Sequence, residues 1–325
     1  MEFYCIHRKE LTDSVKIARS VSVITGNTVL YHLVDCIYCI IRYGCGPSQY
    51  FEGNFYKLRS FERERTYTKY RGYKAKKIFN DSRFIHICTN KVDFNRFFSN
   101  YVKRNWIYCK DATDDELSAF LIANNKIMAK PNSQSKGKGV FVLDRSLPDD
   151  ELVRLVVGKD IVLEQFLVQH PNMCFDNKSI NTIRVNTILD SNGVVHIIKA
   201  ALRCGVGDSV VDNYSAGGIV YPINVEYGRI EGPGIGKSNL YNKWLYVHPG
   251  SSVFMIGKQI PFWKELLEMV NNAAKSLPQV RLVGWDVAIT NNGVELIEGN
   301  TRPGASVIEN MGHERGFWKK MLSYR

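Results

Sequence analysis

Apolar residues recur at helical spacing early in the chain, around Val15 to Val23 and again from Val29 to Ile41, which predicts two helices before the breaker Gly44-Cys45-Gly46-Pro47. The helical texture extends to about residue 85. From Phe84 the pattern changes: RFIHICT reads as a strand, KVDFNRFFSNYV as a helix and WIYCKD as a strand, with a second helix from Asp114 to Asn124. Three short strands follow, IMAKP, VFVLD and IVLEQFL. The second half is richer in alternation, and SINTIRVNTILDSNGVVHIIKAALR predicts two long strands joined by the hairpin turn Asp-Ser-Asn-Gly. Pro261 at a first-turn position, followed by Phe262, Leu266, Met269, Val270 and Ala273, marks an amphipathic helix to about Lys275. Residues 281 to 304, RLVGWDVAITNNGVELIEGNTRPG, then predict a terminal hairpin that turns at Asn291 and Asn292. There is no internal repeat and no low-complexity segment.

In that last hairpin Val283, Trp285, Val287 and Ile289 share one side, and the opposite side carries chemistry. Asp286 falls opposite Glu298 within one residue of register, and Asn300 shares the face of Glu298. Like charges facing each other across a sheet are unfavourable unless a partner neutralises them, and a hard divalent cation held by a few carboxylates and substrate phosphates does so. The pattern predicts magnesium. A solvated hairpin face with scattered acids satisfies the same spacing, so other segments must decide.

Composition narrows the setting. The 325 residues are 45% hydrophobic and 23% charged, ordinary for a globular chain of two or three packed units. No signal-peptide pattern opens the sequence, which points to the cytoplasm as the expected location. The most apolar run, Val29 to Ile41, is about 13 residues long and includes His32 and Asp35, against the roughly 20 apolar residues that span a bilayer. Eight cysteines are scattered through apolar segments without a disulfide-framework spacing, and reduced thiols are expected. Cys36-Ile-Tyr-Cys39 has no second pair at zinc-ribbon spacing, so core packing is its expected role. The net charge is +11, and nine basic residues fall between Lys57 and Lys77 with Phe61, Tyr67, Tyr70 and Tyr73 interleaved. Such a stretch suits nucleic acid, an anionic lipid surface or an anionic substrate, or forms a solvated helix face paired with Glu62 and Glu64. No nucleic-acid module is present, and none is expected as a partner.

Several positions suit a polyphosphate. Lys130 ends the IMAKP strand, and the following loop NSQSKGKG contains Gly137, Lys138 and Gly139, whose backbone amides and ammonium group are fitted to wrap phosphate oxygens. A flexible turn explains the same loop. Lys91 stands at a helix start, where it caps structure or reaches an anion. Glu164-Gln165-Phe166-Leu167 closes a strand with an acid beside apolar residues, as an adenine slot does and as an ordinary buried strand does. Arg184, Arg203 and Arg302 are each able to pair with phosphate or carboxylate.

The order of these elements, helix-start lysine, strand-end lysine, glycine loop, strand-end glutamate, then Asp and Glu-x-Asn on a terminal hairpin, resembles the ATP-grasp superfamily. Within it, GWDVAI…ELIEGNTRPG, NTIRVNT and DNYSAGG look like the sugar-transfer associated branch, related to ATP-dependent carboxylate-amine ligases. The resemblance covers roughly residues 84 to 310, and YFEGNFYKL in the helical N-terminal part also looks like that branch. It implies an α+β ATP-grasp fold, two subdomains clasping ATP, preceded by a helical region. The expected divisions are a helical, basic region over 1–84, a small subdomain with the glycine loop over 85–168, and a large subdomain with metal and acceptor residues over 169–325.

By that resemblance Lys91 and Lys130 hold the α and β phosphates, and Gly137, Lys138 and Gly139 fold over the nucleotide. Glu164 with the backbone around Phe166 and Leu167 receives adenine, and Asp286, Glu298 and Asn300 bind Mg2+. Arg184, Arg203 and Arg302 face the γ-phosphate and the acceptor, with residues 213 to 218 as a substrate loop. The acid that many ATP-grasp enzymes use to hold the ribose is absent, and His170-Pro171 stands near its place. The implied reaction is ATP-dependent amide formation through an acyl phosphate, on a carboxylate and an amine from a sugar, nucleotide sugar or amino acid used in surface polysaccharide synthesis. This chemistry needs no protein nucleophile, and His248 and His313 are expected to be structural. The alternative is a kinase acting on a sugar or lipid-linked hydroxyl, for which Asp208 or Asp212 is a candidate base. The expected setting is cytoplasmic, at or near the inner membrane face if residues 57 to 77 touch lipid. The oligomeric state is left open.

Overall fold

In the computed structural model the described residues are 8–133, 139–143, 146–175, 179–207, 212, 214, 217–236, 243–304, 309 and 316–325. The chain opens with helices α1 (Arg8–Thr25), α2 (Val29–Tyr43), α3 (Pro47–Glu52), α4 (Ser60–Arg65) and α5 (Lys69–Phe79). The first break follows the predicted signal: Gly44 caps α2 at φ 65° with its N–H on the last carbonyls, and Tyr70 lies directly over it, leaving no room for a Cβ. Ala18, Val21, Cys36, Cys39, Tyr43, Tyr50, Phe51 and Phe55 form the core of this helical part. Arg63 is buried in it, forked onto Asp35 at 2.7 and 2.8 Å, while the Tyr50 hydroxyl donates to Asp35 at 2.6 Å.

Residues 84 to 89 depart from the strand reading. They enter a short helix, α6 (His86–Thr89), and α7 (Lys91–Phe97) follows at once, its N-terminus capped by the Asn90 side chain. Phe84, Ile87 and Cys88 all turn toward the main core, a spacing of three and four that only a helical turn delivers.

A four-stranded antiparallel sheet comes next, in the order β1-β4-β2-β3, from β1 (Trp106–Tyr108), β2 (Ile127–Pro131), β3 (Phe141–Val142) and β4 (Ile161–Gln165). Helices α8 (Asp114–Ala123) and α9 (Asp149–Val156) cover one face through Leu117, Leu121, Leu152, Val153 and Val156.

The larger, antiparallel sheet contains β5 (Thr182–Leu189), β6 (Val195–Cys204), β7 (Ile219–Asn224), β8 (Arg229–Ile230), β9 (Gly234–Gly236), β10 (Lys243–Leu245), β11 (Leu282–Thr290) and β12 (Gly293–Asn300). Its order is β10-β9-β7-β6-β5-β11-β12, with β8 on β7. Helix α10 (Trp263–Ser276) packs on its apolar face. Phe262 occupies the left-handed N-cap position at φ 53°, so Pro261 precedes the helix instead of entering its first turn. Trp285 is fully buried in this core, its indole N–H on the Thr187 hydroxyl at 2.9 Å, with Val283, Val287 and Ile289 beside it.

The polar face of this sheet is covered at one end. There α5 and the last helix, α11 (Phe317–Leu322), enclose Tyr67, Ala75, Phe79, Ile188, Leu282, Phe317 and Met321. Two buried polar side chains fasten that end. Asn80 bonds the N–H and carbonyl of Leu282 and the carbonyl of Thr301, and Glu309 accepts from the amides of Tyr67, Gly316 and Phe317. The rest of the face holds the candidate site.

Candidate active site

Antiparallel register aligns the polar residues. Asp286 sits opposite Glu298 on β12 and opposite Arg184 on β5, while Thr182 sits opposite Arg203 on β6. The Arg184 guanidinium grips both oxygens of Asp286, through Nε on Oδ1 and through Nη2 on Oδ2 at 2.7 Å. Arg203 adds a bond to Oδ2 at 2.7 Å and reaches Asp212 at 2.8 Å, whose other oxygen accepts from the Thr182 amide and hydroxyl. Burial works against ionising Asp286, but the two guanidinium charges outweigh it and hold the carboxyl well below the usual range. Glu298 goes the other way: burial, then the Asp286 charge and hydrogen bond, push its carboxyl up. Asn300 Nδ2 donates to Glu298 at 3.1 Å and to Asp286 at 3.5 Å.

Close approach is permitted by Gly284. A Cβ there would lie 2.8 Å from Asn186 Oδ1 and 3.1 Å from Arg184 Cδ. Asn186 Oδ1 is itself buried and has no hydrogen-bond partner.

A second polar group lies on the small sheet. Glu164 is buried, and its oxygens accept from Arg104 at 2.7 and 3.1 Å, from Lys130 at 2.5 Å and from Asn95 at 3.4 Å. All four lone-pair sites of the carboxylate are thus taken, and none remains for an exocyclic amine in this arrangement. Lys91 Nζ donates to the Pro131 carbonyl at 2.8 Å. Burial pulls its ammonium pKa down; Glu298 raises it, Lys130 lowers it and Glu164 raises it, so this lysine feels both groups. Lys91 and Lys130 thus gather at the end of β2 beside Glu164, which Arg104 ties to Glu295 on β12, the strand that carries Glu298 and Asn300.

The other expected residues make contacts of their own. Phe166 donates its N–H to the Lys126 carbonyl at 3.0 Å and receives the Lys126 ammonium over its ring at 3.7 Å, with Leu167 half-buried beside it. His170 is pinned at the turn end of the terminal hairpin, its N–H on the Ile289 carbonyl and its Nδ1 accepting from Asn172. The Arg302 guanidinium stacks on Tyr73 at 3.9 Å, against α5. Gly139 takes φ 68° ahead of β3, while Gly137, Lys138, Asp208 and His313 lie outside the described residues. Of residues 213 to 218, Tyr214, Gly217 and Gly218 are described. His248 is wholly buried and packs at a tilt against Phe175, ring centroids 5.4 Å apart.

Arg104 carried no sequence signal. It is buried and connects Glu164 on β4 to Glu295 on β12, bonding Glu295 at 2.8 Å and the Leu296 carbonyl at 2.8 Å. Its role follows from two sheets meeting, which no local pattern encodes. Thr182, Asn186 and Glu295 were likewise invisible as polar members of strands.

Among the described residues no group of three or more His, Cys, Asp and Glu side chains is gathered for a metal ion. The donor set of Asp286, Glu298 and the Asn300 amide nevertheless suits a hard cation, because the buried Asp286 faces the half-buried Glu298 across the strand pair and a hard divalent ion takes oxygen donors of this kind. For Asn300 to ligate, its amide must turn to present Oδ1 in place of Nδ2.

The sugar-transfer associated ATP-grasp family description matches residues 69–321. Among solved structures the chain is similar to D-alanyl-alanine synthetase A from Vibrio cholerae O1 biovar eltor, at 13% identity and TM-score 0.45, covering 73% of this chain and 65% of that one. It is similar to N5-carboxyaminoimidazole synthetase from Staphylococcus aureus complexed with ADP, at 13% identity and TM-score 0.47, covering 78% and 57%. A third is the ATP-grasp ligase PsnB complexed with a phosphomimetic variant of its minimal precursor, Mg and ADP, at 14% identity and TM-score 0.46, covering 76% and 62%. The chain spans about half to two thirds of the length of the solved structures it resembles. No curated protein matches it. With the family match running through most of its length, the chain belongs to the sugar-transfer associated ATP-grasp family.

Proposed function

We propose that this chain is an ATP-dependent carboxylate-amine ligase. The observation that supports it most is the row of Arg184, Asp286 and Glu298 across three adjacent strands, with Arg203 and Asn300 against it and Lys91 and Lys130 at its edge. In this reading an acceptor carboxylate oxygen bonds to the γ-phosphorus of ATP as the bond to ADP breaks. An amine then attacks the acyl carbon, phosphate leaves, and the amine loses a proton. Bound Mg2+, held by Asp286, Glu298 and Asn300, supplies charge neutralisation on the phosphate oxygens.

The chain's own residues do the rest. Lys91 and Lys130 offset the α and β phosphate charge; the depressed Lys91 ammonium regains its full basicity beside a polyanion. Arg184 and Arg203 orient Asp286 and supply fixed positive charge where the transferred phosphoryl group develops its own, which costs no reorganisation at the moment of transfer. Because Glu164 is saturated by Arg104, Lys130 and Asn95, its role is to place Lys130, and the adenine edge falls to main-chain groups around Phe166 and Leu167. Gly137, Lys138 and Gly139 close over the nucleotide and exclude water. Arg302 and His170 take outlying roles, toward the acceptor and the ribose.

The acid or amine belongs to a sugar or amino acid used for a surface polysaccharide, a reading that the sugar-transfer association of the family supports. The reaction is placed in the cytoplasm, where ATP is plentiful. The test is ADP release from Mg-ATP across uronic acids, amino acids and nucleotide sugars with hydroxylamine as the amine. A hydroxamate formed with ADP supports the ligase and names the acid. ADP with a stable phosphorylated acceptor and no hydroxamate makes the chain a kinase. Asp212 lends that outcome little support, since Arg203 and Thr182 occupy both its oxygens.

A further inference from the structure

Helix α2 has an apolar face too many. Its inner face, His32, Cys36, Cys39 and Tyr43, is buried in the helical core. Its outer face carries Leu30, Val34, Ile37 and Ile41, spaced by four, three and four residues and 57 to 81% exposed. Tyr31 and Tyr38 flank this stripe, half exposed, and Val23 and Ile24 at the end of α1 are exposed as well. A surface helix normally turns charged residues outward, so a continuous outward stripe of large aliphatic side chains marks a surface that meets something apolar.

The surroundings identify what it meets. The C-terminal end of α2 abuts the basic stretch, with Tyr70 over Gly44, the Tyr70 N–H on the Gly44 carbonyl and Arg42 paired with Glu64. From there Lys57, Arg59, Arg65, Lys69, Lys74 and Lys77 are exposed, among the exposed rings of Phe61, Tyr70 and Tyr73. Arg65 lines a surface cleft with Lys319 and Lys320 of α11. A second copy docking through this stripe would bring two such basic surfaces together on chains of net charge +11. An anionic bilayer offers both an apolar layer for the stripe and negative charge for its border, and tyrosines belong at the boundary between them.

We propose that α2 is an interfacial anchor that seats this protein on an anionic lipid bilayer. Among the described residues no single helix is long and apolar enough to cross a membrane; residues Ser14–Thr25 and Val29–Tyr43 are apolar enough only taken together, and the chain bends by 114° between them. A helix of 15 residues is about 22 Å long, short of the roughly 30 Å hydrocarbon core, and suits lying in the interface plane. The buried Arg63–Asp35 pair fixes the orientation of α2 from its inner side, so the stripe is presented rigidly.

The experiment is sedimentation of the full chain with vesicles of phosphatidylcholine alone and of phosphatidylcholine mixed equally with phosphatidylglycerol, across a salt series. Binding to the anionic vesicles that weakens with salt is expected, with little binding to the neutral ones. Ile37→Asp/Ile41→Asp should lower the bound fraction by about tenfold or more, since each removes a buried aliphatic contact and adds an anion. Lys69→Glu/Lys74→Glu should lower it on anionic vesicles alone. All four positions are exposed, so melting curves of the variants should match the parent. Equal binding to neutral and anionic vesicles, or unchanged binding by the stripe variant, overturns the proposal. A dimer in solution that the stripe variant converts to monomer, without vesicle binding by the parent, overturns it in favour of a second copy.

Discussion

Half-buried Glu298 faces buried Asp286; one carboxyl is held ionised by Arg184 and Arg203, and the pKa of the other is pushed up by desolvation and by its neighbour's charge. On the proposed reading this pair holds Mg2+. Replacing Glu298 by Ala is therefore expected to cut ADP release by about 10²-fold or more, with the melting temperature close to the parent value, because the lost group repels its neighbour in the free protein. Retention of near-parent turnover would remove the metal assignment. Gly284 tests the packing behind this pair. Gly284→Ala puts a methyl group against Asn186 Oδ1 and Arg184 Cδ, and a loss of about 1–3 kcal/mol in chemical denaturation is expected, together with reduced turnover as Arg184 shifts.

Among the elements, the helical N-terminal part depends on one buried ion pair. Burial favours the neutral form of Asp35, yet the bonds from Arg63 and Tyr50 outweigh it and lower its pKa beneath the ordinary 3.8. The sign follows directly: the folded state releases this proton more readily than the unfolded chain, so the stabilisation is complete above the ordinary value and is lost as pH falls through the depressed one. Denaturation curves over that acid range should show a slope that Asp35→Asn reduces, the remainder coming from other carboxyls held below their ordinary values, Asp286 among them. The same elements show how far pattern reading extends. The terminal hairpin, with Trp285 inside and Asp286 outside, was legible because a half-buried antiparallel strand writes its two faces alternately into the chain. Residues 84 to 89 were misread because Phe84, Ile85, Ile87 and Cys88 suit a strand by residue type, and only the docking of α6 on β12 selects the helical turn.

At the level of the whole molecule, Arg104 joins the sheets. It donates to Glu164 on the small sheet and to Glu295 on the strand that carries Glu298. Arg104→Met is expected to cost about 3–5 kcal/mol in urea denaturation, because it strands two buried carboxylates; adding Glu164→Gln and Glu295→Gln should return part of that loss. A change confined to the surface range of ±0.5 kcal/mol would show that the sheets are coupled by other contacts. The sequence by itself determined the alternation that makes the strands, the turn residues that close the hairpins and the order of lysine, glycine loop, glutamate and paired acids, all properties of neighbours along the chain. Only the tertiary structure decided that Glu164 is saturated by Arg104, Lys130 and Asn95, that Arg302 stacks on Tyr73, and that the outer face of α2 stays exposed. Those outcomes depend on groups tens to hundreds of residues apart, whose charge and burial are settled when the elements pack together.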